Sequence, residues 1–280
     1  MTQHRETGWI LDQLADCEDA GIDLALTALA LADAARPGRN LKAAQDHLDA
    51  LLATLRERVT SEEDCSSAIR RGDLLREVMV GVYGYHGDAE TYEDPDNADL
   101  IRVMERRRGL PVSLGILYLT LARSVGWTAE GLNFPGHFII RVDGEDGERV
   151  ILDPFHDGAD LSVADLRGLV KAIEGPEAEL SPAIYAAVSN REVLIRLQAN
   201  IKLRALQAGD YEAALATVER MLLVTPDDHW LWRESGLMHM RLGDLDGALA
   251  ALDVYLSLAP DGADRERIAK VVQELGQGRP

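Results

Sequence analysis

Residues 135–155, PGHFIIRVDGEDGERVILDPF, carry the reading on which the fold turns. From Phe138 the apolar residues Phe138, Ile140 and Val142 recur at every second position, the period of a strand. Asp143–Glu148 (DGEDGE) holds turn formers, and Arg149–Asp153 (RVILD) is a second strand, so the stretch reads as an antiparallel hairpin. Pairing Phe138 with Leu152 and Ile140 with Val150 gathers the apolar side chains on one face, whereas a one-residue slip scatters them. The same register sets His137 opposite Asp153 on the other face. Their β-carbons are then expected about 4.5–5.5 Å apart, within reach of an imidazole–carboxylate bond.

Upstream of the hairpin the period is helical. Leu114, Leu117, Leu121 and Val125 keep helical spacing from a start at Pro111 to a stop at Gly126. Asp94-Pro95 starts the helix before it, which carries Leu100, Val103 and Met104 inward and stops at Gly109. Residues 84–97 (GYHGDAETYEDPDN) have loop composition. Further back, Leu41, Ala44, Leu48, Leu51, Leu52 and Leu55 form an amphipathic stripe, and Gly21–Ala35 is almost wholly apolar, which suits a buried helix. Ser61 followed by Asp64 reads as the cap of a third helix running towards Val80.

Downstream, beyond the polar stretch Gly175–Ser181, the chain repeats itself. Gly209-Asp210 recurs at Gly243-Asp244, Ala214-Leu215 at Ala248-Leu249 and Pro226 at Pro260, the 34-residue period of tetratricopeptide helix pairs. Trp232 and Gly236 fill two packing positions in the second copy where the first has Gln198 and Lys202. Ile268, Val271, Val272 and Leu275 then share one face of a terminal capping helix.

The balance of charge narrows the partners. A net charge of −19 repels a phosphate backbone, and Arg106-Arg107-Arg108 reads as a set of partners for the negative end of a helix. No nucleic acid is expected. No run of about 18 apolar residues exists, Met1–Asp12 carries no apolar signal core, and Cys17 and Cys65 are too few for a disulfide framework. A reduced, cytoplasmic protein without a membrane partner is the expectation.

A helix start, then a histidine, then an aspartate is the chain order of papain-like and transglutaminase-like cysteine enzymes. In that chemistry a helix dipole stabilises a thiolate, a histidine across the cleft takes its proton and a carboxylate fixes the tautomer. Arg108–Leu114 (RGLPVSL), Leu121-Ala122-Arg123, Pro135–Phe138 (PGHF) and Leu152-Asp153-Pro154 together resemble the transglutaminase-like superfamily, nearest its SirB-one branch. The likeness covers roughly residues 60–160, and that branch is similar in carrying tetratricopeptide helices afterwards. The resemblance implies a catalytic cysteine in a G-x-C motif. Aligning Gly109, Gly115, Arg123 and Gly126 without a gap puts Pro111 in the cysteine's place.

Ser113 is the nearest hydroxyl, about 200° around the helix from Pro111. It is read either as a first-turn residue bonding a free backbone N–H or as a substitute nucleophile in a Ser113-His137-Asp153 triad. Asn97 and Asn133 border the presumed cleft as candidate ligand donors. His156 follows closely in DPFHDG, so His137, Asp153 and His156 make an imaginable metal set, but their spacing matches no zinc pattern and neither metal nor cofactor is expected. Cys65, out of chain order, and Trp127, Tyr118 and Phe155 are read as packing residues.

The expected fold is α+β and mostly helical: an N-terminal helical region over residues 1–60, a transglutaminase-like (papain-like) domain with a small antiparallel sheet over 61–180, and two tetratricopeptide repeats with a capping helix over 190–276. The function expected first is a non-catalytic interaction or regulatory protein, binding a protein or peptide through the repeats. The alternative is an amide hydrolase or acyl transferase built on Ser113, His137 and Asp153, with a metal-dependent hydrolase third.

Overall fold

In the computed structural model, which describes residues 2–277, the chain runs α1 (Thr2–Leu14), α2 (Leu24–Ala35), α3 (Leu41–Ser61), α4 (Ala68–Arg76), β1 (His86–Gly87), α5 (Leu100–Arg106), β2 (Arg108–Gly109) and α6 (Pro111–Ser124). The sheet strands β3 (Ala129–Leu132), β4 (Ile140–Asp143), β5 (Arg149–Asp153) and β6 (Ala159–Asp160) follow, then α7 (Val163–Glu174) and β7 (Ala187–Val188). Five helices close the chain: α8 (Asn190–Gln207), α9 (Tyr211–Val224), α10 (His229–Leu242), α11 (Leu245–Leu258) and α12 (Ala263–Gln277). The described residues are mostly helical with one small antiparallel sheet, as expected.

The chain divides into two units, one holding Glu18–Leu197 and the other Gln198 onwards with Trp9–Cys17. The helices expected as a separate region over 1–60 do not stand apart, because α2 and α3 lie in the first unit and pack on α5 and α6. Asp23 caps α2 by accepting the Leu26 N–H at 2.9 Å, and the helix is buried on nearly every side. On α3 the buried residues are Leu41, Ala44, Leu48, Leu51 and Leu55, the stripe read from the sequence.

Three local expectations change. Ser61 ends α3 rather than capping the next helix, and Asp64 accepts the Ser66 N–H in a turn before α4. After α4 the helix continues as a π-helical turn over Glu77–Val82. The helix expected from Pro95 breaks in two, because Asp99 takes an extended backbone and caps a new start by accepting the Arg102 N–H. Arg107, with φ at 59°, stops α5 in the left-handed region, and β2 then pairs in parallel with β1 inside the expected loop.

The second sheet has the order β6-β5-β4-β3-β7 and is antiparallel throughout. The hairpin is there, but its register differs from the expected one by two residues: Ile140 faces Leu152 and Val142 faces Val150. The turn is the reason. Gly144 donates to the Glu148 carbonyl at 2.8 Å and Gly147 takes φ of 78°, so the whole of 144–148 lies outside the ladder. A shift of two leaves every side chain on its expected face. Val150 and Leu152 meet α4 at Gly72, while Ile139 and Ile151 join α7 residues Leu166 and Val170 on the opposite face. The signal for α7 is a capping box in which Ser162 and Asp165 bond each other's backbone.

In the second unit the repeated Gly-Asp pairs explain themselves. Gly209 and Gly243 take φ of 74° and 78°, ending one helix, and Asp210 and Asp244 cap the next by accepting the Ala213 and Gly247 N–H groups. Gly236 is the tight position: a β-carbon there would lie 2.5 Å from Leu252.

Candidate functional site

Helix α6 is the centre of the first unit. Pro111 occupies its first turn, where a missing N–H costs nothing, and Pro111–Leu119, Leu121 and Ala122 are all buried. Phe138 fixes the sheet to it. The Phe138 ring fills the space over Gly115 of α6 and Gly131 of β3, both of which have no side chain to oppose it. The preceding turn is held by Gly136, with φ of 63°, and by Arg196 of α8, whose guanidinium donates to the Phe134 carbonyl at 3.1 Å and the His137 carbonyl at 2.5 Å. The same guanidinium lies 5.5 Å from the Phe138 ring centre.

His137 therefore sits in a pinned turn just before β4, not on the strand, and reaches Asp153 from there. Its Nε2 lies 2.8 Å from Asp153 Oδ2. The same oxygen meets His156 Nδ1 at 2.7 Å, while Oδ1 accepts the N–H groups of Phe155 at 3.0 Å and His156 at 3.3 Å. Asp153 is 2 % exposed. Burial alone would raise its carboxyl, but the hydrogen bonds and charge of His137 and His156 hold it below the usual carboxylate range. Phe155, expected in the core, is only half-buried and stands nearly perpendicular to the His137 ring at 6.5 Å between centres and to the Tyr92 ring at 5.7 Å.

The start of α6 is arranged differently. Ser113 is fully buried, and its hydroxyl lies 2.8 Å from the Asn97 carbonyl and 2.9 Å from the Leu110 carbonyl. It donates to carbonyls, which corrects the expectation that it bonds a free N–H. Asn97 is likewise fully buried, its amide donating to the Thr91 carbonyl at 2.7 Å and its Oδ1 accepting from Arg106 at 3.3 Å. The expectation of Asn97 as a ligand donor gives way to a structural role, because no part of its side chain reaches solvent. Asn133 is exposed, and its backbone N–H bonds the Ala186 carbonyl. Cys65 is half-buried, with its thiol pushed up by burial first and by Glu62 next.

The arginine cluster is largely occupied inside the unit. Arg106 binds Asp88 at 3.0 Å and Asp94 at 3.3 Å, and Arg107 bonds the Met104 carbonyl, Tyr85 and His47. Two further groups near Asp153 had no local sequence signal. Arg196 arrives from a helix 59 residues beyond His137. Tyr118, buried as expected, has a hydroxyl without a hydrogen-bond partner and lies against Gly158, whose N–H bonds the Asp153 carbonyl. Among the described residues, His137, Asp153 and His156 also form a cluster whose ligand atoms all lie within 4.8 Å of one another, although the sequence spacing gave no metal pattern.

Comparison with known proteins agrees with the architecture. Residues 42–199 match the model of the transglutaminase-like superfamily, and residues 201–273 match a tetratricopeptide repeat model. The chain is 29% identical over 271 residues to a UPF0162 protein of Xylella fastidiosa, covering 96% of this chain and 95% of that one. It is 30% identical over 246 residues to UPF0162 protein PA3419 of Pseudomonas aeruginosa, covering 85% and 84%. Protein SirB1 of Salmonella typhimurium is 27% identical over 224 residues, covering 78% of this chain and 83% of its own. With a matched core that spans the helix, the PGHF turn and the LDPF strand end, and with repeats behind it, the chain belongs to the transglutaminase-like superfamily, in the group that includes the UPF0162 and SirB1 proteins.

Proposed function

We propose that this is a non-catalytic binding protein, in which the transglutaminase-like unit has lost its nucleophile and the tetratricopeptide helices take a protein or peptide. One observation carries the reading. Where the superfamily's chemistry needs a thiol at the start of α6, the chain has Pro111, and the nearest hydroxyl, Ser113, is fully buried with its proton directed to the Asn97 and Leu110 carbonyls. A serine becomes nucleophilic when a base takes its proton; Asp153 orients the His137 imidazole through Nε2, but the Ser113 hydroxyl is bonded to two main-chain carbonyls rather than to that imidazole. The alternative Ser113-His137-Asp153 hydrolase requires Ser113 to give up both carbonyls and gain access to a substrate. Support for the binding role comes from the repeats: tetratricopeptide helices are a protein-binding architecture, and α10 leaves Trp230 54% exposed.

Two arms test this. Ester and amide substrates should be turned over by the wild type no faster than by Ser113→Ala or His137→Ala. A rate that falls at least tenfold in both variants would establish the hydrolase instead. A protein captured from the native host's extract should be retained by His137→Ala and lost by Trp230→Ala. The reverse pattern would move binding away from the repeats.

A further inference from the structure

We propose that His137, Asp153 and His156 form a binding site for a divalent transition-metal ion of the zinc class. The site lies within the first unit and does not depend on the role of the repeats. Three side chains from a turn, a strand end and the following loop converge on one point, with His137 Nε2 2.8 Å and His156 Nδ1 2.7 Å from the same Asp153 oxygen. Two ligands bound to one ion at about 2.0–2.2 Å each stand at most roughly 4.4 Å apart. The three candidate atoms, all within 4.8 Å of one another, are close to that without rearrangement of the backbone. A small rotation of His156, whose side chain is 64% exposed, closes the difference.

The donor set selects the ion. Two imidazoles and one carboxylate suit zinc, cobalt or ferrous iron, whereas magnesium and calcium prefer all-oxygen shells. Three protein ligands also leave a coordination position open. The support behind the ligands is already built. Asp153 Oδ1 is fixed by the Phe155 and His156 N–H groups, which aims Oδ2 at the two rings. His156 is folded back by a loop that needs two left-handed residues, Asp157 at φ 55° and Gly158 at φ 67°, and is closed by the Gly158 N–H to the Asp153 carbonyl at 2.9 Å. A side chain on Gly158 would strike the Tyr118 hydroxyl, a buried polar atom of α6 that has no hydrogen-bond partner.

Binding replaces two N–H donors on the carboxylate with one cation. In each neutral imidazole the proton moves from the coordinating nitrogen to the other ring nitrogen, and a protonated imidazole releases one proton. The local charge favours the exchange, since a single carboxylate meets two imidazoles in a chain of net charge −19.

The test uses the full chain, stripped with chelator and titrated with cobalt(II) in excess magnesium to occupy the acidic surface. The expected result is one cobalt per chain, with a visible ligand-field band that zinc abolishes, and affinity at least roughly tenfold weaker in both His156→Ala and His137→Gln. His156 is exposed, so its variant retains the fold, and circular dichroism checks this. A chain without saturable cobalt binding, or one whose affinity is unchanged in the two variants, overturns the site.

Discussion

Asp153 and Ser113 are both buried polar residues of the first unit, yet their surroundings point in opposite directions. Asp153 gathers four donors, two of them imidazoles, into an arrangement that orients a histidine. Ser113 donates to two main-chain carbonyls and thereby ties the start of α6 to the loop holding Asn97. On the binding reading proposed above, one half of a catalytic layout keeps its electrostatics and the other half serves as packing. The contrast teaches that the histidine–aspartate pair has a structural ground of its own, because dismantling it leaves buried groups without partners.

The largest effect should come from Asp153. Replacing it with alanine strips both imidazoles and two backbone N–H groups of their acceptor, and urea unfolding is expected to show a loss of roughly 3–5 kcal/mol. Asp153→Asn, which keeps the Oδ1 bonds, should lose clearly less. Equal losses would mean that the Oδ1 bonds to the Phe155 and His156 N–H groups contribute nothing. Next is Gly115→Ala, which forces a methyl into the Phe138 ring and is expected to cost about 1–3 kcal/mol by the same assay. A neutral result would uncouple α6 from the PGHF turn.

The third effect is a pH dependence on the helix side. Burial first, and the Arg107 guanidinium second, lower the His47 pKa from 6.5 to about 4. The unfolded chain then binds a proton that the folded chain refuses. Stability is therefore full above about pH 6.5 and declines as pH falls towards 4, by about 1–2 kcal/mol once solvent screening is allowed for. His47→Gln should remove that part of the slope in thermal melts, and an unchanged slope would place its source elsewhere. The smallest effect belongs to Ser113→Ala, about 1 kcal/mol for two carbonyl bonds in a helix that stays capped by packing.

What could be read from the sequence follows the range over which each feature is determined. The repeats were legible because their Gly-Asp signals act within one turn: a left-handed glycine ends a helix and an aspartate caps the next three residues on. The hairpin's faces were legible from alternation, while its register was not, because the turn at Gly144 and Gly147 closes over five residues and returns two more to the ladder than composition alone reveals. The His137–Asp153 pair survived that error, since a shift of two preserves the face. The role of Ser113 was hidden, because one of its acceptors is a carbonyl 16 residues upstream, brought close only by the fold. Arg196 was hidden for the same reason, whereas His156, three residues beyond Asp153, could be placed beside the pair from its position in the sequence.

Mass-spectrometric mapping after exposure of the full chain to a fluorophosphonate tests the central claim most directly, because it asks whether the hydroxyl at the start of α6 can attack anything. The account predicts an unmodified Ser113 in a folded chain with His137 and Asp153 intact. A phosphonyl adduct on Ser113 that disappears in His137→Ala would contradict it.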